Sequence, residues 1–231
     1  APPASVPPAG AVVLVVIGAV ALLGNGLKAL VTSTVLVSEG AFAAYLRMSP
    51  EQVAVLMQML IAGMVVALAL CPLLLQRMSA RRLGLGACVV ATAAFGGFAA
   101  IDLAGLSPAW RLAGAFVGLA VGAGALALLA PVAQALVAQA PTAPLRTSLT
   151  TLWTLAAPAG FLLAPQLVKE VLPLLGLGRY FAGLALLPVA MALLLACVPL
   201  VLARSRDRTT PAVALPAAPV LAFVGMVVAF E

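Results

Sequence analysis

The stretch AVVLVVIGAVALLGNGLKALVTSTVLVSEG, residues 11–40, is a long apolar segment interrupted by one lysine. Its first part, residues 11–23, has no polar side chain, and the chain stays mainly apolar for two helical turns after Lys28. A helix needs about 20 apolar residues to cross the hydrocarbon core of a bilayer. The stretch therefore predicts a first membrane span with a charged residue inside it.

The whole chain has the composition of a polytopic membrane protein. Of its 231 residues, 65% are hydrophobic and 8% are charged, whereas soluble domains carry about 25% charged residues. The predicted spans are 11–38, 52–75, 83–101, 112–137, 149–169 and 180–203, followed by a shorter run at 217–230. We predict an all-α fold with a cytoplasmic tail at 1–10, a six-helix bundle at 11–203, a cytoplasmic loop at 204–216 and a seventh span at 217–231.

Basic residues alternate between the loops and so predict an orientation. One side holds seven arginines and one aspartate, and the other side holds four basic and four acidic residues. The positive-inside rule places the first side, and with it the N-terminus, in the cytoplasm. The net charge of +6 therefore reflects topology and gives no sign of nucleic-acid binding. We expect a multi-pass protein of the cell membrane, of the bacterial inner-membrane kind.

Helix starts and span ends carry recognisable signals. In MSPEQ, Ser49 and Gln52 predict a capping box with Pro50 at the first helical position, and LSPAW repeats the device with Ser107. Aromatic residues near span ends predict an interfacial belt; they are Tyr45, Trp110, Trp153 and Tyr180. Three glycines spaced four residues apart, Gly114, Gly118 and Gly122, predict a smooth face in the fourth span against which a neighbouring helix packs closely.

Polar content divides the spans into two kinds. The third and sixth have almost no uncharged polar side chains, whereas the first, second, fourth and fifth have several, among them Gln58 and Gln134. Polar groups at membrane depth need partners or a wet cavity. We therefore expect spans three and six to face lipid and the other four to enclose a cavity. Such a three-plus-three order is typical of inverted-repeat transporters.

Lys28 belongs to a polar stripe on the first span. At 100° per residue, Asn25, Lys28, Thr32 and Glu39 fall within about 60° of one another. Snorkelling to the interface is disfavoured for Lys28, because helical side chains lean toward the N-terminus, which is here toward the midplane. A cavity residue and a buried ion pair remain as alternatives. With Gln58 and Gln134, the stripe is the predicted substrate site.

The segment STVLVSEGAFAAYLRMSPEQVAVLMQ, residues 33–58, resembles the first and second helices of major facilitator superfamily transporters, most closely the fourteen-span drug:proton antiporters. CPLLLQRMSARR, residues 71–82, is similar to the family's cytoplasmic gating loop. Arg77, Arg81 and Arg82 match its basic positions, whereas Gln76 replaces its aspartate. Positive-inside anchoring explains the same arginines equally well.

GFLLAP, residues 160–165, resembles the antiporter motif of the fifth helix. Gly160 and Pro165 match that motif and Ala164 replaces a glycine, while ordinary proline kinks are the alternative. The family usually has an aspartate at Val31 and an asparagine at Leu36. Lys28 therefore inverts the expected charge, which favours export of an anionic or zwitterionic amphiphile over export of cationic drugs.

The resemblance implies a secondary active transporter with a small-molecule substrate, with protons as a candidate coupling ion and no cofactor. It also implies a C-terminal half, in the same or a separate chain. Since the sequence starts at Ala1 without methionine and stops after a short seventh run, we expect it to be part of something longer.

Other classes of function remain to be weighed. The alternative to transport is a non-transporting scaffold, or a half-transporter that needs a partner. Enzymatic activity is not expected, because the chain has no histidine and no deep pair of carboxylates, and no metal site is predicted.

Overall fold

The computed structural model describes residues 8–140 and 143–197, with side chains for all of these except 8–14 and 144. Within these ranges the chain forms seven helices, six of which are long and apolar enough to cross a membrane. The helices are α1 Pro8–Val37, α2 Glu39–Leu46, α3 Pro50–Arg77, α4 Ala80–Leu103, α5 Pro108–Val137, α6 Ala143–Glu170 and α7 Leu172–Cys197. The protein is thus an all-α, multi-pass membrane protein.

Within the described residues the six long helices match the six predicted spans in number and order, with two differences. A short helix, α2, occupies the connection between the first two spans, and α7 begins at Leu172 rather than at Tyr180. Gly176 interrupts α7 with φ 73° and ψ 168°, a backbone conformation that glycine adopts without steric cost. The predicted tail at 1–10 falls partly outside the described residues, and the loop at 204–216 and the seventh span lie wholly outside them.

Side-chain caps fix two of the helix starts. Ser49 accepts from the Gln52 backbone N–H while the Gln52 side chain accepts from the Ser49 N–H, so the predicted capping box is confirmed. Ser79 caps α4 by accepting from the Arg82 N–H. Ser107 is the N-cap of α5 and Pro108 its first residue, but the Ser107 side chain makes no capping hydrogen bond.

The helices α1 and α5 form the centre of the bundle and pack against each other. α6 packs chiefly on α1, and α3 chiefly on α5. α4 packs on α5 and α7, and α7 also packs on α1. Each of the two central helices therefore has one flanking helix, and the pair α4 and α7 packs against both central helices.

The pair α4 and α7 meets in an aromatic cluster. Phe181 is fully buried and its ring centroid lies 5.1 Å from that of Phe98 and 6.0 Å from that of Phe95. Phe42 of α2 packs edge-on against Phe181 at 5.7 Å, which anchors the short helix to the bundle. The contacts of Phe181 with Phe42 and Phe98 are edge-to-face, a geometry that aromatic rings prefer.

The two spans predicted to face lipid, α4 and α7, are not the least buried ones. In their most apolar stretches, α3 and α6 are 17% buried, whereas α4 and α7 are 39% buried. The polar-poor helices are more buried because their aromatic side chains pack on one another. They also keep exposed apolar faces, with Val89 and Leu186 each 66% exposed, as expected of helices that face lipid.

The glycine face of the fourth span packs against α4, as predicted. A Cβ at Gly118 would lie 3.0 Å from the carbonyl O of Ala94, and one at Gly122 would lie 2.5 Å from the Phe95 ring. Only glycine therefore fits at this helix contact without displacing its neighbours.

Candidate functional site

Two glycines flank Asn25 at the point where α1 comes closest to its neighbours. A Cβ at Gly24 would lie 2.9 Å from the Leu129 carbonyl O on α5, and one at Gly26 would lie 3.3 Å from the Ala156 carbonyl O on α6. Close approach of this kind is the use that small residues have in membrane helix packing. Sequence reasoning missed this role, although the GNG tripeptide inside an apolar span was a visible signal.

Asn25 is a structural residue in this arrangement. It is 7% exposed and its side-chain amide donates to the Trp153 carbonyl O at 2.9 Å. The Trp153 indole N–H in turn donates to the Ala130 carbonyl O on α5 at 3.1 Å. Hydrogen bonds therefore join α1, α6 and α5, and Asn25, predicted to bind substrate, has its amide engaged within the bundle.

Trp153 does not belong to an interfacial belt. Its side chain is half-buried and bridges two helices. Tyr180 is also wrongly predicted as a belt residue, because it is 5% exposed and its hydroxyl lies 3.3 Å from that of Thr34. The reason is that α7 begins earlier than predicted, which moves Tyr180 into the bundle. Trp110 is 64% exposed, and its place in a belt stays a prediction.

Lys28 lies one helical turn beyond Asn25 and is half-buried. In the described part of the chain, no hydrogen bond or ion pair joins the Lys28 ammonium to another residue. The ion pair found there is between Lys169 and Glu170, which are both exposed. Thr32, one further turn along, is also half-buried, and its hydroxyl contacts the Met64 sulfur on α3 at 3.6 Å. Lys28 and Thr32 thus remain together on a partly accessible part of α1.

Glu39, the last residue of the predicted stripe, does not lie on the same helix as Lys28. Glu39 is exposed and begins α2, since α1 ends at Val37. At the junction, the Ser38 hydroxyl donates to the Thr34 carbonyl O at 2.5 Å, an i−4 bond of the kind that bends helices. A single straight helix carrying the stripe as far as Glu39 is therefore a wrong prediction.

Gln58 on α3 and Gln134 on α5 are both exposed on the described bundle. The threonines and glutamine of the fifth span, Thr150, Thr151, Thr154 and Gln166, are exposed as well. Within the described residues, these polar groups lie on the bundle surface and are not enclosed by it. That they line a cavity stays a prediction.

The four residues of the predicted gating loop have different environments. Gln76 and Arg77 are exposed at the end of α3, and Arg82 is exposed on α4. Arg81 instead donates to the carbonyl oxygens of Leu195 and Ala196, at 2.9 and 2.8 Å. Because these are among the last carbonyls of α7, Arg81 caps the negative end of that helix. Sequence reasoning missed this cap, since Leu195 and Ala196 lie more than a hundred residues away.

Of the antiporter-like residues, Gly160 packs against α1. A Cβ at Gly160 would lie 2.6 Å from the Gly26 carbonyl O and 2.9 Å from the Leu30 N. Ala164 is fully buried, and Pro165 is half-buried inside α6. Gly160 therefore sets the spacing of α1 and α6 next to Asn25 and Lys28.

A polar cluster at the end of α4 was also missed. The Tyr45 hydroxyl of α2 donates to the carboxylate of Asp102, which is 8% exposed at the end of α4. Burial raises the pKa of Tyr45, the hydrogen bond and the charge of Asp102 raise it further, and Arg111 acts in the opposite direction. The other oxygen of Asp102 lies against Gly178, where a Cβ would collide with it. The cluster thus joins α2, α4 and α7.

Among the described residues no three His, Cys, Asp or Glu side chains lie close enough together to hold a metal ion. Comparison with protein-family models, with curated protein sequences and with solved structures found no match for this chain.

Proposed function

We propose that the chain is the N-terminal bundle of a secondary active transporter of the major facilitator type. It exports small anionic or zwitterionic amphipathic molecules by alternating access, with the N-terminus in the cytoplasm of a bacterial cell and protons as a candidate coupling ion. The observation that carries the proposal is Lys28, a half-buried ammonium deep in a membrane span without a partner among the described residues.

The pattern of helix contacts supports an inverted repeat. In two repeats of three spans each, α1 corresponds to α5, α3 corresponds to α6, and α4 corresponds to α7. The contact of α1 with α6 then becomes that of α5 with α3, and the contact of α4 with α5 becomes that of α7 with α1. The contacts of α1 with α5 and of α4 with α7 are unchanged. Each main contact therefore has a counterpart, as a three-plus-three repeat requires.

The burial of the spans repeats in the same order. The buried shares are 56%, 17% and 39% for α1, α3 and α4, and 56%, 17% and 39% for α5, α6 and α7. Related positions in two repeats should have related surroundings. This agreement supports α1 and α5 as the central pair of two equivalent halves.

The surroundings of Lys28 favour an anionic substrate group. A charge at the centre of a membrane helix costs about 2.5–3.5 kcal/mol on insertion scales, so it is normally paired or lies in a water-filled cavity. Thr32 adds a hydroxyl one turn beyond Lys28, whereas Asn25, one turn before Lys28, is engaged in a hydrogen bond to Trp153. The site therefore offers one cation and one hydroxyl next to apolar side chains, which suits an amphipathic anion or zwitterion.

Flux measurements in reconstituted vesicles test the proposal. Lys28→Ala should lower the apparent affinity for an anionic substrate about tenfold to hundredfold, since a charge-assisted contact is worth roughly 1.5–3 kcal/mol. Lys28→Arg should restore only part of it, because a planar guanidinium places its charge differently. Lys169→Ala is the matched control, as Lys169 is exposed and pairs with the neighbouring Glu170 in the described part of the chain. Wild-type transport of every tested anion and zwitterion by Lys28→Ala would overturn the proposal.

A second candidate is a scaffold, or a half-transporter completed by a partner. The exposed polar side chains of α3, α5 and α6 favour it, because such groups at membrane depth need a cover or water. Co-purification distinguishes the two candidates: a stoichiometric membrane partner without which no flux is measured would support the half-transporter. Neither candidate requires an enzymatic reaction or a cofactor.

A further inference from the structure

An apolar groove lies between α3 and α4 on the surface of α5. α3 and α4 have few contacts with each other beyond their short connection, whereas both pack extensively on α5. The space left between them has a volume of about 680 Å³. Its wall is formed by Val66 and Leu70 of α3, Val90 of α4, and Val121 and Leu128 of α5, among other apolar residues.

The groove has one charged end. Arg82 is the one charged residue among those that line it, and it lies beside Met78 where α3 connects to α4. Arg82 is exposed, and no described carboxylate forms an ion pair with it. Arg77 ends α3 at the same connection and is also exposed. The arginine end is the end that the positive-inside rule places in the cytoplasm.

The groove is longer along α3 than along the other two helices. Along α4 it runs from Arg82 to Val90, and along α5 it runs from Ala120 to Leu128, which is about 12 Å of helix rise in each case. Along α3 it runs from Met59 to Met78, which is about 28 Å at the same rise and close to the thickness of the hydrocarbon core, about 30 Å. The groove is therefore long enough for an extended acyl chain, with its charge at the end where α3 connects to α4.

We propose that this groove binds an anionic phospholipid of the cytoplasmic leaflet. One acyl chain lies against the apolar wall, and the phosphate group accepts hydrogen bonds from Arg82, with Arg77 adding positive charge. An apolar groove gives water no partners, and Val66 and Val90 in its wall are 57% and 44% exposed, so we expect lipid to cover them. Arginine matches the geometry of phosphate oxygens. This inference goes beyond transport and does not depend on it.

Gly86 is a position at which a larger side chain would fill the groove. It lies in the wall, and a Cβ placed there would meet nothing within 4 Å. Gly86→Trp should therefore fill the groove without displacing a helix. Gly97→Trp is the matched control, because Gly97 is an equally open position on α4 that does not line the groove. Arg146→Gln is the control for charge, since Arg146 is exposed on α6.

Native mass spectrometry of the purified protein in detergent, titrated with palmitoyl-oleoyl phosphatidylglycerol, tests the proposal. Arg82→Gln should weaken binding of the first lipid about tenfold, as expected for one lost charge-assisted hydrogen bond. It should leave the weaker binding of phosphatidylcholine nearly unchanged. Gly86→Trp should weaken binding of both lipids. Glycerol phosphate without acyl chains should not compete, which separates a lipid site from a plain phosphate site.

Two results would overturn the proposal. One is phosphatidylglycerol affinity that is the same in Arg82→Gln, Gly86→Trp and both controls. The other is a thiol at Gly86→Cys that cross-links to residues 217–230 in native membranes, because the groove would then hold another part of the chain. Arg82→Gln changes an exposed side chain, so its result stays interpretable even if Gly86→Trp does not fold.

Discussion

At the scale of single residues, two neighbours in the sequence have opposite roles. Asn25 is buried with its amide bonded to α6, whereas Lys28 is half-buried with its ammonium unpaired among the described residues. Helical periodicity places both on one stripe, and it cannot tell them apart. The difference arises from Trp153, which lies 128 residues away from Asn25. Only the packed structure identifies which polar residue of the stripe is already satisfied.

Asn25→Ala tests the structural role. The substitution removes one interhelical hydrogen bond, which should lower the free energy of unfolding by about 0.6–2 kcal/mol in a membrane environment. The measurement is unfolding of purified protein by SDS in mixed micelles. Thr92→Val is the control, since the half-buried Thr92 hydroxyl has no hydrogen-bond partner among the described residues. Equal losses in the two variants would contradict the assignment.

Tyr45 should titrate above its ordinary range, which is near 10. Burial is the main cause and Asp102 adds to it, so Asp102→Asn should lower the pKa only part of the way. The chain has two tyrosines, and a Tyr180→Phe background therefore isolates Tyr45 for titration by tyrosinate absorbance. A pKa of Tyr45 unaffected by Asp102→Asn would contradict the contact.

The raised pKa also fixes the sign of the pH dependence. The cluster's contribution to stability is fully present below the pKa of unfolded tyrosine. It is lost as pH rises through the higher pKa of the folded protein. The attachment of α2 to α4 should therefore loosen only in strongly alkaline solution.

At the scale of helices, the sequence predicted what depends on local pattern. Long apolar runs gave the six spans, and MSPEQ gave the capping box at Ser49. It did not predict α2, the break in α7 at Gly176 or the cap from Arg81 to α7, because these depend on contacts between distant segments. For the candidate site, sequence pattern places Lys28 and Thr32 on one face of α1, but packing decides the environments of Asn25 and Glu39.

Replacing glycine by alanine should change the free energy of unfolding in opposite directions at two positions, depending on how closely a neighbouring helix packs there. A Cβ at Gly63 would collide with the Ala120 carbonyl O on α5, so Gly63→Ala should lower the free energy of unfolding by about 1–3 kcal/mol. At Gly96 a Cβ would meet nothing within 4 Å, so Gly96→Ala should raise it by about 0.5–1 kcal/mol through helix propensity. Unfolding by SDS measures both, and stabilisation by Gly63→Ala would contradict the close packing of α3 and α5.

At the scale of the whole molecule, exposure on the bundle has two different meanings. Leu186 on α7 is 66% exposed, and we expect its surroundings to be lipid. Thr32 on α1 is only half-buried by its neighbours, and the proposed function places water around it. We therefore expect Thr32 to be the more accessible of the two to water, although Leu186 is the more exposed on the surface of the bundle.

Cysteine labelling in native membrane vesicles separates the two surroundings. In a background with Cys71, Cys88 and Cys197 replaced, Thr32→Cys should react with a charged, water-soluble thiol reagent, whereas Leu186→Cys and Leu194→Cys should not. The reason is that thiols react as thiolates, and neither a thiolate nor the reagent is stable in hydrocarbon. Labelling after solubilisation in detergent should reach Leu186→Cys, which controls for its exposure on the protein. Reaction of the α7 cysteines in vesicles as fast as Thr32→Cys would contradict the proposed arrangement, because α7 would then face water.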